Sequence, residues 1–493
     1  MDTNGLTRET IPTLFDCSRP GANAGDHVPA PDGPPPAALL GDDADLLADT
    51  PPPLPEVPEA AVVRHYTHLA GRNMSVDANF YPLGSCTMKY NPRVNEWAAS
   101  REALADLHPL APPAATQGAL QLLHELETYL ARIAGLDAVT LAPAAGAHGE
   151  LTGLKVITAY YRSRGEGRSK VLTPDSSHGT NPASCTVCGR LAVPVASRGD
   201  GRIDLDDLRA KLDDQTAALM ITNPNTLGLF ETDIADAAEL VHAAGAQLYL
   251  DGANMNAILG ITRPGDFGVD AMHLNLHKTF STPHGGGGPG AGPVAVASHL
   301  DPFLPTPRVV HREGAYRLLW DAPHSIGPVR SFACQFAVCV RAWCYIRTLG
   351  PEGLRRASET AVLAANYLAE RLKTVLPLPY DERCMHEFVL TAARHGASDR
   401  GLGGRIAKRL LDYGFHAPTV YFPLIVDEAL MIEPTETESL PTLDAFVDAM
   451  REIVADLDAD PHALDDAPRA QAVARVDETA AARQPVLRWQ AEV

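Results

Sequence analysis

Four short segments of this sequence set reactive side chains between an apolar run and a small-residue turn. Such positions fall at the carboxyl ends of strands in an open α/β sheet, where ligands bind. The run Val139–Leu141 leads into Ala144-Ala145-Gly146-Ala147-His148-Gly149-Glu150, a loop that opens a helix. Free amides and the helix dipole there suit an anion such as a phosphate. The loop is neither G-x-G-x-x-G nor G-x-x-x-x-G-K-[ST], so it carries no dinucleotide or P-loop signature. Taken alone it reads equally well as a tight strand-to-helix turn. After Lys170–Leu172 comes Asp175-Ser176-Ser177-His178-Gly179-Thr180-Asn181-Pro182. His178 is placed to stack on a flat ring or move protons, although an isolated histidine is more often structural. Gln247–Leu250 delivers Asp251, then Gly252-Ala253-Asn254. Ala271–Leu276 delivers His277-Lys278-Thr279, followed by the glycine-rich run from Pro283 to Gly290.

Asp251 and Lys278 at two strand ends would make a plain ion pair, but a lysine between a strand and a glycine-rich loop is badly placed for structure alone. Burial would lower its pKa and free the amine as a nucleophile. The glycines would let backbone approach a bulky ligand. Phosphate cradle, ring-stacking histidine, aspartate and lysine, in that order, are the parts a pyridoxal 5'-phosphate enzyme requires. The lysine forms the Schiff base and the aspartate keeps the pyridinium nitrogen protonated, so that the ring acts as an electron sink.

These residues need elements to carry them. Leu120, Leu123, Leu126, Leu130 and Ile133 recur at helical spacing, and Gly135 stands where that helix should stop. Beyond it, short apolar runs alternate with helical stretches: Val139–Leu141, a helix from about Glu150, Lys170–Leu172, Ala217–Thr222, a helix over Ile234–Ala244, Gln247–Leu250 and Ala271–Leu276. Alternation of this kind predicts a mostly parallel sheet covered on both faces. Near Arg330 the texture changes to two long helices, Phe332–Leu349 and Leu354–Leu372, then strands at Glu387–Leu390 and Thr419–Phe422 flanking a helix at Leu402–Tyr413. The predicted organisation is a proline-rich arm (1–60), a large cofactor-binding α/β domain (61–330) and a smaller C-terminal α+β domain (331–493). The arm holds 12 of the 41 prolines, which predicts an extended segment laid over another subunit or simply disordered. No internal repeat is present.

Composition narrows the function classes. Lys and Arg total 41 against 61 Asp and Glu, a net charge of −20, which argues against a nucleic-acid partner. No apolar run approaches the ~20 residues of a membrane span. The start, MDTNGLTRETIPTL, has early acids and no apolar core, so neither a secretory signal nor a transit peptide is expected. Eight scattered cysteines read as reduced thiols of a cytoplasmic protein. Cys185-Thr-Val-Cys188 has C-x-x-C spacing, but no second pair completes a zinc site, and no metal is expected.

The segment Asn79-Phe80-Tyr81-Pro82-Leu83-Gly84-Ser85-Cys86-Thr87-Met88-Lys89-Tyr90-Asn91-Pro92 resembles the P-protein family of the glycine cleavage system, in the second subunit of its split form. His178–Ser184, Asn223–Glu231, Asp251–Gly260, His273–Gly290, Tyr421–Glu438 and Pro485–Trp489 match the same family. The likeness runs from about Arg64 to Trp489. It implies the aspartate-aminotransferase-like fold, with Lys278 as the Schiff-base lysine, Asp251 as pyridinium partner and His178 as stacking residue and proton manager. It further implies Ala147, His148 and Thr279 near the phosphate, Thr226, Asn254 and His277 around the ring, and Ser85 and Thr87 at the substrate mouth. Departures are Cys185 and Cys188, where small residues are expected, and Cys334, Cys339 and Cys344 on a helix usually poor in cysteine. The implied activity is decarboxylation of glycine with transfer of the aminomethyl group to the lipoyl arm of the H-protein. The implied partner is a homologous first subunit, in an αβ pair that dimerises. Two other classes stand beside this reading: a pyridoxal phosphate decarboxylase or aldolase that protonates its carbanion, and a non-catalytic subunit. The second has no use for Lys278 with Asp251.

Overall fold

The computed structural model describes residues 11–22, 32–50, 52–108, 111–285, 290–393 and 401–487. Gly286–Gly288 with Pro289, and Arg488-Trp489, lie outside the described residues. The chain forms two units, one of Met1–Ser75 with Asp466–Val493 and one of Val76–Asp465. The expected division at 330 and 331 therefore lies inside the second unit.

That unit is built on seven strands: β1 (Ala138–Thr140), β2 (Lys170–Pro174), β3 (Leu191–Val195), β4 (Thr216–Thr222), β5 (Gln247–Gly252), β6 (Ala271–Leu274) and β7 (Val294–Val296). Their order is β1-β7-β6-β5-β4-β2-β3. The pairs β3/β2, β2/β4, β4/β5 and β5/β6 are parallel, while β7 is antiparallel to both β6 and β1. The sheet is thus mostly parallel, as the alternation predicts. The exception is β7, which is joined to β6 with no helix among the described residues and runs antiparallel to it. Central strands are buried along their length (β4 and β5 at every residue), as strands covered on both faces must be. The leucine pattern after Pro113 forms a helix over Pro113–Ala134, and Gly135 ends it in the left-handed conformation (φ 69°).

The two long helices predicted after Arg330 fill the stretch Phe336–Leu372, which breaks between them where Gly350 takes φ 61° and ψ −177°, outside helical geometry, ahead of Pro351. Its first half packs on the large sheet's core and its second half on a separate core formed by a three-stranded sheet. The strands of that sheet are β10 (Phe388–Thr391), β11 (Thr419–Val420) and β12 (Ala429–Ile432), in the order β10-β12-β11 and all antiparallel; β8 (Arg308–Arg312) and β9 (Ala315–Leu319) make a separate hairpin.

In the other unit the proline-rich stretch is not wholly extended. It holds a short helix at Pro36–Leu40 and a 3-10 turn at Gly41–Leu46, and Glu59–Gly71 is a regular helix. None of these buries a residue.

Candidate active site

A cavity of about 190 Å3 opens at the carboxyl ends of β1, β2, β4, β5 and β6, lined by residues that follow each strand. Ser85, Ala147, His178, Thr226, Asp251, His277 and Lys278, all singled out in the sequence, line it together. The parallel register explains this convergence: Thr222, Asp251 and His273 sit side by side across β4, β5 and β6, so their following loops share one rim.

Asp251 is buried and accepts hydrogen bonds from Asn181 Nδ2 (2.9 Å) and from the Ala253 amide (3.0 Å). His273 Nε2 lies 3.2 Å from its other carboxylate contact, Oδ1. Burial alone would raise this acid, but His273, Asn181, Lys278 and the Ala253 amide together outweigh burial and hold it below the usual carboxylate range. An anion is therefore maintained at the floor of the cavity. Tyr249 OH lies 3.0 Å from His273 Nδ1 and fixes the ring from its far side.

On the β1 side, the helix Gly146–Ser163 begins at Ala145, whose side chain gives no cap, so its first amides remain for an anion. Gly149 lets this helix end approach closely: a Cβ there would lie 2.7 Å from His273 Cβ and 2.8 Å from the Gly292 carbonyl oxygen. His148 turns its ring back on its own loop, where Nδ1 accepts from the Ala144 amide at 3.1 Å. Burial, then Arg330, push its pKa down. His148 thus shapes the cradle without lining the cavity.

His178 stands exposed at the rim. Its Nδ1 lies 2.7 Å from Thr180 Oγ1, which in turn donates to Glu150 Oε1 at 2.6 Å. Glu150 also accepts from Ser184 Oγ at 2.8 Å, so a buried carboxylate orients the histidine through a hydroxyl. His277 is held neutral, its pKa pushed down to about 3 by burial and by His284 and Lys278. Thr226 donates to the Ser176 carbonyl at 2.6 Å, tying the β4 loop to the β2 loop.

Three expected contacts are placed elsewhere. Asn254 donates to the Pro224 carbonyl (2.9 Å) and to Glu387 Oε1 (3.3 Å), a buried bridge off the cavity lining. Thr87 is buried, with its amide on Glu433 Oε2 at 2.9 Å. Thr279 is fully buried beside Lys278, its hydroxyl without a partner among the described residues. The expected mouth loop also hides its cation. Lys89 donates to Glu436 Oε1 (2.6 Å), Asn256 Oδ1 (2.8 Å) and the Thr279 carbonyl (2.9 Å), and so clamps the Lys278 turn from behind.

Sequence reading missed Glu150, Thr180, Thr222, His273 and Asn275, all on the cavity wall. His273 and Asn275 lie within the predicted run Ala271–Leu276, and strand alternation back from His277 would have found them. Glu150 and Thr180 carry no such signal, because they meet only across 30 residues of chain.

A bound pyridoxal 5'-phosphate fits these residues. Uncapped amides suit its phosphate, ionised Asp251 suits its ring nitrogen, and Lys278 suits its aldehyde. Buried polar atoms of Thr222 and Asn275, both on the cavity wall, have no partner among the described residues. Glu150, Asp251 and His273 are also close enough to hold a metal ion. Each is already engaged by protein donors, which favours the organic group.

Residues 154–288 match the family Aminotransferase class-V, and residues 357–470 match Glycine dehydrogenase, C-terminal domain. A probable glycine dehydrogenase (decarboxylating) subunit 2 of Halalkalibacterium halodurans is 54% identical over 97% of this chain and 98% of its own length. That of Listeria welshimeri is 53% identical over 98% and 99%. Among solved structures, an inhibitor-bound glycine decarboxylase (P-protein) of the glycine cleavage system superposes with a TM-score of 0.71 at 24% identity, covering 84% of this chain and 94% of that one. A Lactobacillus brevis glutamate decarboxylase gives 0.65 at 14%, covering 85% and 98%. The fold is accordingly that of the class-V aminotransferases, an α/β fold with a mostly parallel sheet. With near-complete coverage at more than half identity, the chain belongs to the family of glycine dehydrogenase (decarboxylating) subunit 2.

Proposed function

We propose that this chain decarboxylates glycine with pyridoxal 5'-phosphate held on Lys278, and passes the aminomethyl group to the lipoyl arm of an H-protein. The observation that carries the reading is Asp251, a carboxylate kept ionised at the cavity floor by His273, Asn181 and the Ala253 amide, in the same cavity as Lys278. The cofactor, when bound, supplies an electron sink for the pair left by departing carbon dioxide. Asp251 holds negative charge where a ring nitrogen must stay protonated. Lys278 would hold the group at its aldehyde, and its Nζ would take up and return a proton beside it. His178, oriented through Thr180 by Glu150, manages a second proton at the rim.

Lys278 is the one Lys or Arg among the described lining residues, so a substrate carboxylate meets no guanidinium clamp. A carboxylate left without such a partner favours its loss over retention. Ser85 lines the cavity from the loop side.

A homologous first subunit is the proposed partner, in an αβ pair that dimerises to a heterotetramer. Apolar side chains stand exposed in the unit of Met1–Ser75, with Leu46 and Leu54 each 76% exposed and Val63 and Tyr66 each 58%, and ask for a covering surface. Eight free cysteines, and no helix among the described residues long and apolar enough to cross a membrane, are in keeping with a cytoplasmic site of action.

The test is an absorbance scan of the chain co-purified with its first subunit, before and after borohydride, with peptide mapping. A visible band fixed onto Lys278 is expected, and its loss in Lys278→Ala with pairing intact. An unmodified Lys278 in the loaded pair would sink the reading. Carbon dioxide release from glycine that ignores lipoylated H-protein would remove the proposed acceptor.

A further inference from the structure

Two fully buried glutamates adjoin this cavity and take no part in the chemistry above. Glu387 immediately precedes β10 and Glu433 immediately follows β12, so antiparallel pairing of Phe388 with Ile432 brings them together. His386 lies with them, and one ligand atom from each of the three falls within a 4.8 Å cluster. All three side chains are 0% exposed.

Each glutamate gives one oxygen to the loop that carries Ser85. Glu387 Oε2 accepts from the Ser85 amide at 2.6 Å, and Glu433 Oε2 accepts from the Thr87 amide at 2.9 Å. Both donors are non-glycine residues in the left-handed region, with φ 64° at Ser85 and 47° at Thr87. For Thr87, a β-branched residue, that conformation persists only where the surroundings impose it. Each carboxyl group holds one of these two amides in that conformation.

Charge around the pair does not balance if both acids are ionised. Lys89, from the loop, is already matched by Glu436, which follows β12, at 2.6 Å. Lys278, beyond β6, is the remaining cation acting on Glu387 and Glu433. His386 cannot supply a second: burial, then Lys278, push its pKa down to about 3. Neither of its ring nitrogens has a hydrogen-bond partner among the described residues, and Nε2 stands 3.9 Å from Glu387 Oε1 and 3.9 Å from Glu433 Oε1. Cys86, from the same loop, is kept a neutral thiol by burial. Two buried like charges this close, facing one cation, cannot both persist.

We propose that Glu387 and Glu433 retain one proton between them and act as positioning residues, clamping the Ser85–Lys89 loop over the cavity and presenting a single negative charge to Lys278. The directions agree with this. Burial, then Glu433, drive Glu387 well above the usual carboxylate range, and burial pushes Glu433 up to about 7 against the Thr87 donor and Lys278. A shared proton explains how a strained loop can be held by two acids without their mutual repulsion opening it. In the neutral or ionised form, each carboxyl still accepts its amide bond.

The test is infrared spectroscopy of the full chain co-purified with its first subunit, comparing wild type with Glu387→Gln, Glu433→Gln and the double variant. Glutamine keeps an amide acceptor and approximates the shape, so folding is retained. Each single variant should lose the same single protonated-carboxyl band, and the double variant should lose no more. Two separate bands that add in the double variant, or no band lost in any variant, would overturn the shared proton. So would a stoichiometric divalent metal ion in the wild type that both single variants lack. For the clamp, hydrogen exchange in the peptide spanning residues 83–90 should quicken at least about tenfold in Glu433→Leu while staying near wild type in Glu433→Gln. Unchanged exchange in the leucine variant would overturn the positioning role. None of these readings uses substrate, cofactor or acceptor, so their failure leaves the glycine reading standing.

Discussion

Asp251 and Lys278 carry most of the chemistry because of what surrounds them rather than what they are. Asp251→Asn keeps the shape and removes the charge that His273 and Asn181 stabilise. We expect cofactor to remain bound while turnover with glycine falls by about 100-fold or more, equivalent to about 3 kcal/mol for a charged hydrogen bond. Steady-state carbon dioxide release measures it. A second residue gives a pH signature away from the cavity. Glu231, 1% exposed, accepts from the Asn225 side chain (2.8 Å) and the Ile203 amide (3.0 Å), yet burial pushes it up to about 7. The folded state therefore binds this proton more tightly than the unfolded chain. Its stabilising contribution is complete below about pH 4.5 and is lost as pH rises through about 7. Relative to wild type, Glu231→Gln should gain stability across that window, by up to about 3 kcal/mol at 1.36 kcal/mol per pH unit. Urea unfolding of the two proteins at pH 5 and pH 8 checks the difference.

At the scale of elements, the site depends on loops meeting backbone to backbone. Gly228, in the turn after β4, takes φ 79°, and a Cβ there would lie 1.8 Å from the Glu387 carbonyl oxygen. The Met385 amide donates to the Gly228 carbonyl at 2.7 Å, so this contact joins the loop bearing Thr226 to the lead-in of β10. Gly228→Ala should lower stability by more than about 3 kcal/mol through clash and positive φ together. The same change should weaken cofactor binding; thermal unfolding and visible absorbance report the two effects. The predicted strands at β2, β4, β5 and β6 match the elements, and they pair in parallel in the order β2, β4, β5, β6. β3, β7 and β12 escaped that reading. Each is only three to five residues long, and β3 (Leu-Ala-Val-Pro-Val), partly exposed at the sheet edge, is apolar at every position, so no pattern of period two marks it.

For the whole molecule, the two units differ in what they bury. The sheets, the helical stretch Phe336–Leu372 and the cavity lie within Val76–Asp465, whereas the helices of the other unit bury no residue. Folding energy from apolar burial is thus concentrated in the first of these. A chain lacking residues 1–57, ahead of the helix Glu59–Gly71, should keep its melting temperature within about 2 °C, since surface changes away from a core cost little. The same truncation should weaken association with the first subunit by about tenfold or more. Calorimetry and size-exclusion chromatography of the co-expressed pair separate these outcomes.

Much of the site was legible in the sequence. Apolar runs ending in Asp251, His277-Lys278, His178 and the Ala144–Glu150 loop announce strand ends, and parallel strands bring strand ends to one rim, so types and order of residues sufficed. Five of the seven strands of the mostly parallel sheet, β1, β2, β4, β5 and β6, followed from the same apolar runs. Tertiary structure alone decided which neighbours set the charge. His273 beside Asp251, Glu150 behind His178, and Glu387 with Glu433 beneath Ser85 and Thr87 come from segments 22 to 346 residues apart. Ionisation in a buried site is governed by distance and desolvation across such contacts, quantities that the spacing of residues along a chain does not encode.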